Sequence, residues 1–339
     1  MPTAHQLDPE PIRRFVAERV RGLDGNLHIR QIAGGQSNPT YVLDYGPRRL
    51  VLRKRPPGDL LPSAHAVDRE YRVQKALRDT GVPVPEVLLL HEEPDVVGTA
   101  FYLMEHVDGR VFHDCALPGA DGHRRAMYGS AAETLARLHA VDVAAVGLSD
   151  FGRSGGYFAR QVSRWYRQWQ LSAIEPSADI ERLVGWLTEN MPAESGRVSI
   201  AHGDYRLGNV MFHPEQPHVV AVLDWELATL GEPLADLAHF CAFTWHMRAD
   251  EYGGLLGVDL ASAGLPTQEE FCEAYYGAAP QNGRMTRFHI PFALFRNAVI
   301  FEGIAARARS GNAAAANAET VGRLSGVLAR RAVELLERE

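Results

Sequence analysis

Cysteine is scarce in this 339-residue chain: Cys115, Cys241 and Cys272 stand far apart, odd in number, with no Cys-x-x-Cys among them. This argues against a disulfide framework or a structural zinc site, and the three read as reduced core residues. No apolar run reaches membrane-spanning length, and the amino terminus, Met-Pro-Thr-Ala-His-Gln-Leu-Asp, has no basic region followed by an apolar stretch. The expectation is a cytoplasmic protein without a membrane partner. Blocks of like charge, internal repeats and low-complexity tails are also missing. The net charge of -7 argues against a nucleic-acid partner and mildly favours a positively charged substrate. No Gly-x-x-x-x-Gly-Lys-[Ser/Thr] occurs, which excludes a standard P-loop.

The chain is longer than one average domain and suits two lobes, and its 46% hydrophobic content can fill a sizeable core. Its most informative stretch runs from Ser199 to Glu226. Val219 to Leu223, rich in β-branched residues and preceded by Pro217, reads as a buried strand, so Asp224 emerges at a strand end. Val210 to Phe212 makes the partner strand across the turn Pro214-Glu215-Gln216-Pro217. Such a hairpin would carry Asp204 and Asn209 beside Asp224.

Clustered carboxylate and amide oxygens without thiolate suit a hard cation such as Mg²⁺, which usually brings phosphates. Asp-x-x-x-x-Asn followed by a strand-end Asp is the arrangement of kinase-type phosphoryl transfer: one Asp for the acceptor hydroxyl, the Asn and the second Asp for metal. His202-Gly203-Asp204 with Asn209, and Leu223-Asp224-Trp225-Glu226, resemble the catalytic and metal-binding segments of the aminoglycoside phosphotransferase (choline kinase-like) family. The resemblance implies an α+β, two-lobed protein-kinase-like fold. Its N-lobe (1–106) would be a five-stranded antiparallel sheet that binds the nucleotide, and its C-lobe (107–339) would be mostly helical and bind the acceptor. It also implies Mg²⁺ and ATP or GTP, with Asp204 catalytic, Asn209 and Asp224 on the metal, and Glu226 on the metal through water. Asp236 resembles the family position that braces the catalytic loop, where His202 also belongs.

Earlier in the chain, Asp8-Pro9-Glu10 starts a helix that runs to Gly22. Leu27 to Ala33, Thr40 to Tyr45 and Leu50 to Lys54 read as antiparallel strands, the first two joined by Gly34-Gly35-Gln36-Ser37-Asn38. Backbone at Gly35, with Ser37 and Asn38, could approach phosphates closely, and in the family this loop covers the nucleotide. A kinase fold needs a cation on the third strand and an acid on the next helix to hold it. Arg53 or Lys54, with Glu70, meets that need. Strand alternation lets only one of the two point inward, and the resemblance favours Arg53. Strands follow at Glu86 to Leu90 and Thr99 to Glu105. Met104 to Gly109 resembles the interlobe hinge, which places Glu105 and Val107 among the nucleotide contacts.

Helical periodicity then marks His123 to Ala140, Tyr157 to Leu171, Ile180 to Leu187, Pro233 to Met247, Gln268 to Tyr276, Pro291 to Arg309 and Ala318 to Glu337. Two other classes of function compete. Gly152-Arg153-Ser154-Gly155-Gly156 fits the hydrolase nucleophile elbow, with Asp204 or Asp224 and then His239 in triad order, but the residues before Ser154 make a poor strand. A non-catalytic nucleotide-binding pseudokinase would have lost Asp204, Asn209 or Asp224, and all are present.

Leu52 to Gly58 and Leu60 to Tyr71 look most like the family branch found beside, or fused to, acyl-CoA dehydrogenases. That likeness implies a small hydroxylated acceptor, with hydroxyacyl-CoA a serious candidate, and a functional link to an acyl-CoA dehydrogenase. An aminoglycoside antibiotic ranks lower, since the segment from Val143 to Glu194 is not notably acidic. Arg296, Arg307 and Arg309 are the basic groups offered to CoA phosphates.

Overall fold

Asp8 caps the opening helix, α1 (Pro9–Arg19), its carboxylate accepting the Glu10 N–H at 3.1 Å, while Ile12, Phe15 and Val16 turn inward. In this computed structural model, which describes residues 7–32, 38–58, 65–173, 175–194, 196–309 and 318–337, the chain divides into two compact units. The first is Met1–Asp108 with Ala221–Glu226, and the second is Gly109–Val220 with Leu227–Glu339. The division differs from the sequence expectation in one respect that bears on function: the segment carrying Asp224 and Glu226 groups with the first unit.

The first unit is built on an antiparallel sheet of β1 (His28–Gln31), β2 (Thr40–Asp44), β3 (Arg49–Lys54), β4 (Val87–His91) and β5 (Phe101–Glu105) in the order β1-β2-β3-β5-β4. Between β3 and β4 the chain forms α2 (Val67–Leu77). Period-two alternation sorts the side chains onto two cores. Tyr41, Leu43, Leu50, Leu52, Phe101 and Leu103 cluster with Ile12, Phe15 and Val16 of α1. Val51, Tyr102 and Met104 cluster with Val67 and Tyr71 of α2. This parity decides which of Arg53 and Lys54 meets α2.

The second unit contains β6 (Arg110–Val111), α3 (Arg124–Ala140), α4 (Tyr157–Ser172), α5 (Ala178–Glu189), β7 (Ser199–Ala201) and β8 (Val210–Phe212). It continues through β9 (Val219–Val222), β10 (Thr229–Gly231), α6 (Pro233–Trp245), α7 (Ala249–Tyr252), α8 (Gln268–Ala278), α9 (His289–Arg309) and α10 (Ala318–Glu337). The β8-β9 hairpin forms where expected, with His213 N–H donating to His218 O at 2.9 Å across its turn. The last two residues of β9 begin the segment that groups with the first unit. β6 and β10, which add to β8 and β7, were not foreseen, because two or three residues carry no periodicity. Every side chain of α6 is buried, the polar Asp236, His239 and Thr244 included, and the helix packs against α9. Among the described residues no helix is long and apolar enough to cross a membrane.

Candidate active site

In the first unit, Arg53 leaves β3 on the same face as Val51 and so meets α2. Its Nε lies 2.7 Å from Glu70 Oε2 and its Nη2 lies 2.5 Å from Asp224 Oδ1. Glu70 is 1% exposed and accepts two further bonds, from Asn38 Nδ2 at 2.5 Å and from the Tyr102 hydroxyl at 3.2 Å. Gln74 Nε2 donates to Tyr102 Oη at 3.1 Å and so steadies that hydroxyl. Burial pushes the Glu70 carboxyl up, and Arg53 opposes this. Burial also works against the Arg53 charge, but Glu70 and Asp224 outweigh it and hold the guanidinium above its ordinary value.

Asp224 adopts φ 63°, a left-handed conformation that costs a non-glycine residue energy and persists only where neighbours enforce it. Those neighbours are Trp225, fully buried with Nε1 donating to Val222 O at 3.0 Å, and Val222, whose N–H donates to Pro83 O at 2.8 Å. Glu226 is partly buried and adds its field to that on Arg53.

The other residues singled out in this unit fall elsewhere. Lys54 is not brought into the group: it takes the α1 face and its Nζ donates to Val97 O at 2.5 Å, with burial lowering its pKa. The Glu105 side chain pairs with Arg48, and its N–H donates to Glu86 O at 2.9 Å. Val107 lies between His106, whose N–H donates to Arg49 O at 3.2 Å, and Asp108, which pairs with Arg49 at 2.7 Å. Gly35 and Ser37 lie outside the described residues.

In the second unit the loop after β7 is tied to α6. The N–H groups of His202 and Gly203 donate to the buried Asp236 carboxylate at 2.6 and 2.9 Å. Burial opposes the Asp236 charge, but His139 and His202 together with the Gly203 N–H hold its carboxyl below the usual range. Gly203 has φ 83°, and a Cβ there would lie 2.6 Å from Leu227 O, so the loop requires glycine. Its carbonyl accepts from Arg296 Nη2 at 2.5 Å.

Asp204, next in the chain, has both oxygens engaged. Oδ1 faces His239 Nε2 at 2.8 Å, and Oδ2 accepts from Asn209 Nδ2 at 2.7 Å and from Arg206 Nε at 3.3 Å. Burial would raise the Asp204 carboxyl, but Arg206 and His239 hold it far below the carboxylate range. It is therefore an ionised acceptor, fixed in orientation, of the kind that can align a hydroxyl and take its proton.

Sequence reasoning reaches His239 only as the last member of the competing hydrolase triad, although its position one helical turn after Asp236 is a readable signal for this site. Arg296 requires a correction: it is buried, spans from the loop to a position 5.8 Å over Trp165, and is not a surface cation for CoA phosphates. The side chains of Arg307 and Arg309 lie outside the described residues. Among the described residues no strand occurs between α3 and β7, so Ser154 has no elbow.

Among the described residues no three His, Cys, Asp or Glu side chains gather as a metal-holding group. The available donors are single hard oxygens. Among the described residues Asn209 turns its Nδ2 to Asp204 Oδ2 and to Asp204 O at 2.9 Å, with Oδ1 as its other donor atom, and Asp224 meets Arg53 through Oδ1, with Oδ2 as its other donor atom. Mg²⁺ takes one or two such oxygens and completes its shell with water and phosphate, so each of these residues, taken by itself, fits that ion.

The profile of the phosphotransferase enzyme family (APH) matches residues 28–274, a span that holds Arg53, Glu70, Asp204, Asn209, Asp224, Asp236 and His239. Mouse acyl-CoA dehydrogenase family member 10 is 41% identical over 320 residues, which are 93% of this chain and only 30% of the length of that relative. A crystallised Ralstonia eutropha JMP134 protein assigned to the aminoglycoside phosphotransferases is 38% identical with a TM-score of 0.85, covering 98% of this chain and 99% of its own. At 17% identity and TM-score 0.64, over 96% of this chain and 98% of its own, a thermostable variant of the aminoglycoside phosphotransferase APH(4)-Ia in ternary complex with AMP-PNP and hygromycin B shares the fold. The chain belongs to the phosphotransferase enzyme family.

Proposed function

We propose that the protein moves the γ-phosphate of ATP or GTP, with Mg²⁺, to a hydroxyl of a small molecule, and that a hydroxyacyl-CoA is the leading acceptor. The observation that carries the reading is Asp204, an ionised carboxylate held by His239, Asn209 and Arg206 at the end of a braced loop. Bound Mg²⁺ neutralises charge on the phosphates. Asn209 and Asp224 are the residues assigned to hold it, and Glu226 adds negative charge beside Asp224. Arg53, fixed by Glu70, orients the nucleotide phosphates. Asp204 aligns the acceptor hydroxyl and receives its proton late, so catalysis is mostly positioning and charge neutralisation.

The acceptor assignment rests on the relatives named for acyl-CoA dehydrogenase, which also suggest a functional link to such an enzyme. An aminoglycoside acceptor has support from the structural neighbours named for that activity. Against it, α4 carries Arg160, Arg164 and Arg167 and no acid, a poor surface for a polycation. A coupled ADP-release screen with Mg·ATP and Mg·GTP across aminoglycosides, choline, homoserine and 4-hydroxyacyl-CoA tests the proposal. Turnover of hydroxyacyl-CoA alone is expected. Strong turnover of kanamycin-type compounds with none on hydroxyacyl-CoA would reverse the ranking.

A further inference from the structure

We infer that His239 is the positioning residue of the Asp204 carboxylate, acting as a neutral imidazole whose proton is locked on Nε2 by Asn297. The inference rests on the reading of Asp204 as the residue that orients the acceptor.

The tautomer follows from a chain of donors. Asn297 Nδ2 lies 2.7 Å from Ala293 O, and a carbonyl can only accept, so the amide nitrogen must be at that position. The same nitrogen lies 3.2 Å from His239 Nδ1. An amide nitrogen only donates, so Nδ1 is the acceptor and carries no proton. The ring proton is therefore on Nε2, which donates to Asp204 Oδ1 at 2.8 Å. The ring is 1% exposed and packs against Phe243 at 5.0 Å between centroids, so it cannot turn over without moving α6 or α9.

The lock has a catalytic consequence. A carboxylate offers about four lone-pair directions. Among the described residues His239, Asn209 and Arg206 take three, and the direction that remains is where an acceptor hydroxyl can be held. Because Nδ1 is already filled, His239 does not relay a proton onward. It fixes the torsion of the carboxylate through Oδ1, whereas Asn209 and Arg206 act on Oδ2.

The test combines ¹⁵N NMR of the imidazole with three variants. Turnover is read as ADP release, on the acceptor where one is found and on water where none is. The wild type should show a neutral Nε2–H tautomer from pH 6 to 8. His239→Leu should lower kcat by about 10-fold to 100-fold, up to the loss that misplacing a reacting group can cause, with KM for Mg·ATP nearly unchanged. His239→Gln, whose amide can still donate to Oδ1, should recover most of that loss. Should His239→Leu fail to fold, Asn297→Leu decides: the Nδ1–H tautomer becomes available, its signature appears, and kcat falls. An Nδ1–H or charged imidazole in the wild type, or equal kcat in the wild type and His239→Leu, or a His239→Gln as slow as His239→Leu, would overturn the inference. The NMR result stands even if no acceptor is ever turned over, which separates failure of this inference from failure of the proposed function.

Discussion

Arg53 Nε and Glu70 Oε2 form a 2.7 Å ion pair in which the carboxylate is 1% exposed. Removing one partner of a buried pair strands the other charge, typically at about 3–5 kcal/mol. Asn38 and Tyr102 also lose their shared acceptor. Glu70→Ala should therefore lower unfolding free energy by about that amount in chemical denaturation, with the loss confined to the unit that holds the sheet. A midpoint within error of the wild type would contradict this description of the pair.

The opposite facing of Arg53 and Lys54 makes a sharper prediction. A charge-assisted bond is worth about 1.5–3 kcal/mol, so Arg53→Met should weaken Mg·ATP binding by at least about 10-fold in titration calorimetry. Lys54→Met should change it by less than about 3-fold, because the Lys54 ammonium meets Val97 O. Equal losses in the two variants would mean that both side chains reach the nucleotide.

Much of this pairing was legible beforehand, and the reason is geometric. Alternation along β3 separated Arg53 from Lys54 in the sequence, and only the packing of Val51 with Val67 and Tyr71 against α2 said which face held Glu70. The hairpin after Asp204 was readable because Pro217 and a β-branched run punctuate it. What stayed hidden were relations set by long-range packing. Asn297 is 58 residues from His239, and Arg296 is 93 residues from Gly203. No local pattern announces that α9 supports the loop after β7, and so the sequence offers Arg296 to CoA phosphates instead. The left-handed turn at Asp224 was equally invisible, since Asp adopts it only where Trp225 and Val222 hold the chain.

His289 gives the fold a pH dependence of its own. Burial lowers its pKa from 6.5 to about 4, with Phe158 and Phe288 against its ring and Thr286 N–H donating to Nδ1 at 2.9 Å. Between those values the unfolded chain binds a proton that the folded protein does not. The stability this residue contributes is thus complete above pH 6.5 and is lost as pH falls towards 4, by at most about 3 kcal/mol. His289→Phe should remove that slope, so the stability gap between wild type and variant should change steadily from pH 7 to 4 in urea melts. A gap independent of pH would show that His289 titrates alike in both states.

The central claim, that Asp204 is the group that handles the acceptor's proton in a Mg²⁺-dependent phosphoryl transfer, is tested most directly by Asp204→Asn. The substitution keeps the shape of the side chain but removes its charge and its capacity to take a proton. Steady-state ADP release and nucleotide titration on the same preparation should show Mg·ATP affinity nearly intact and kcat reduced by at least about 100-fold. Full turnover in Asp204→Asn, with nucleotide binding unchanged, would contradict the account.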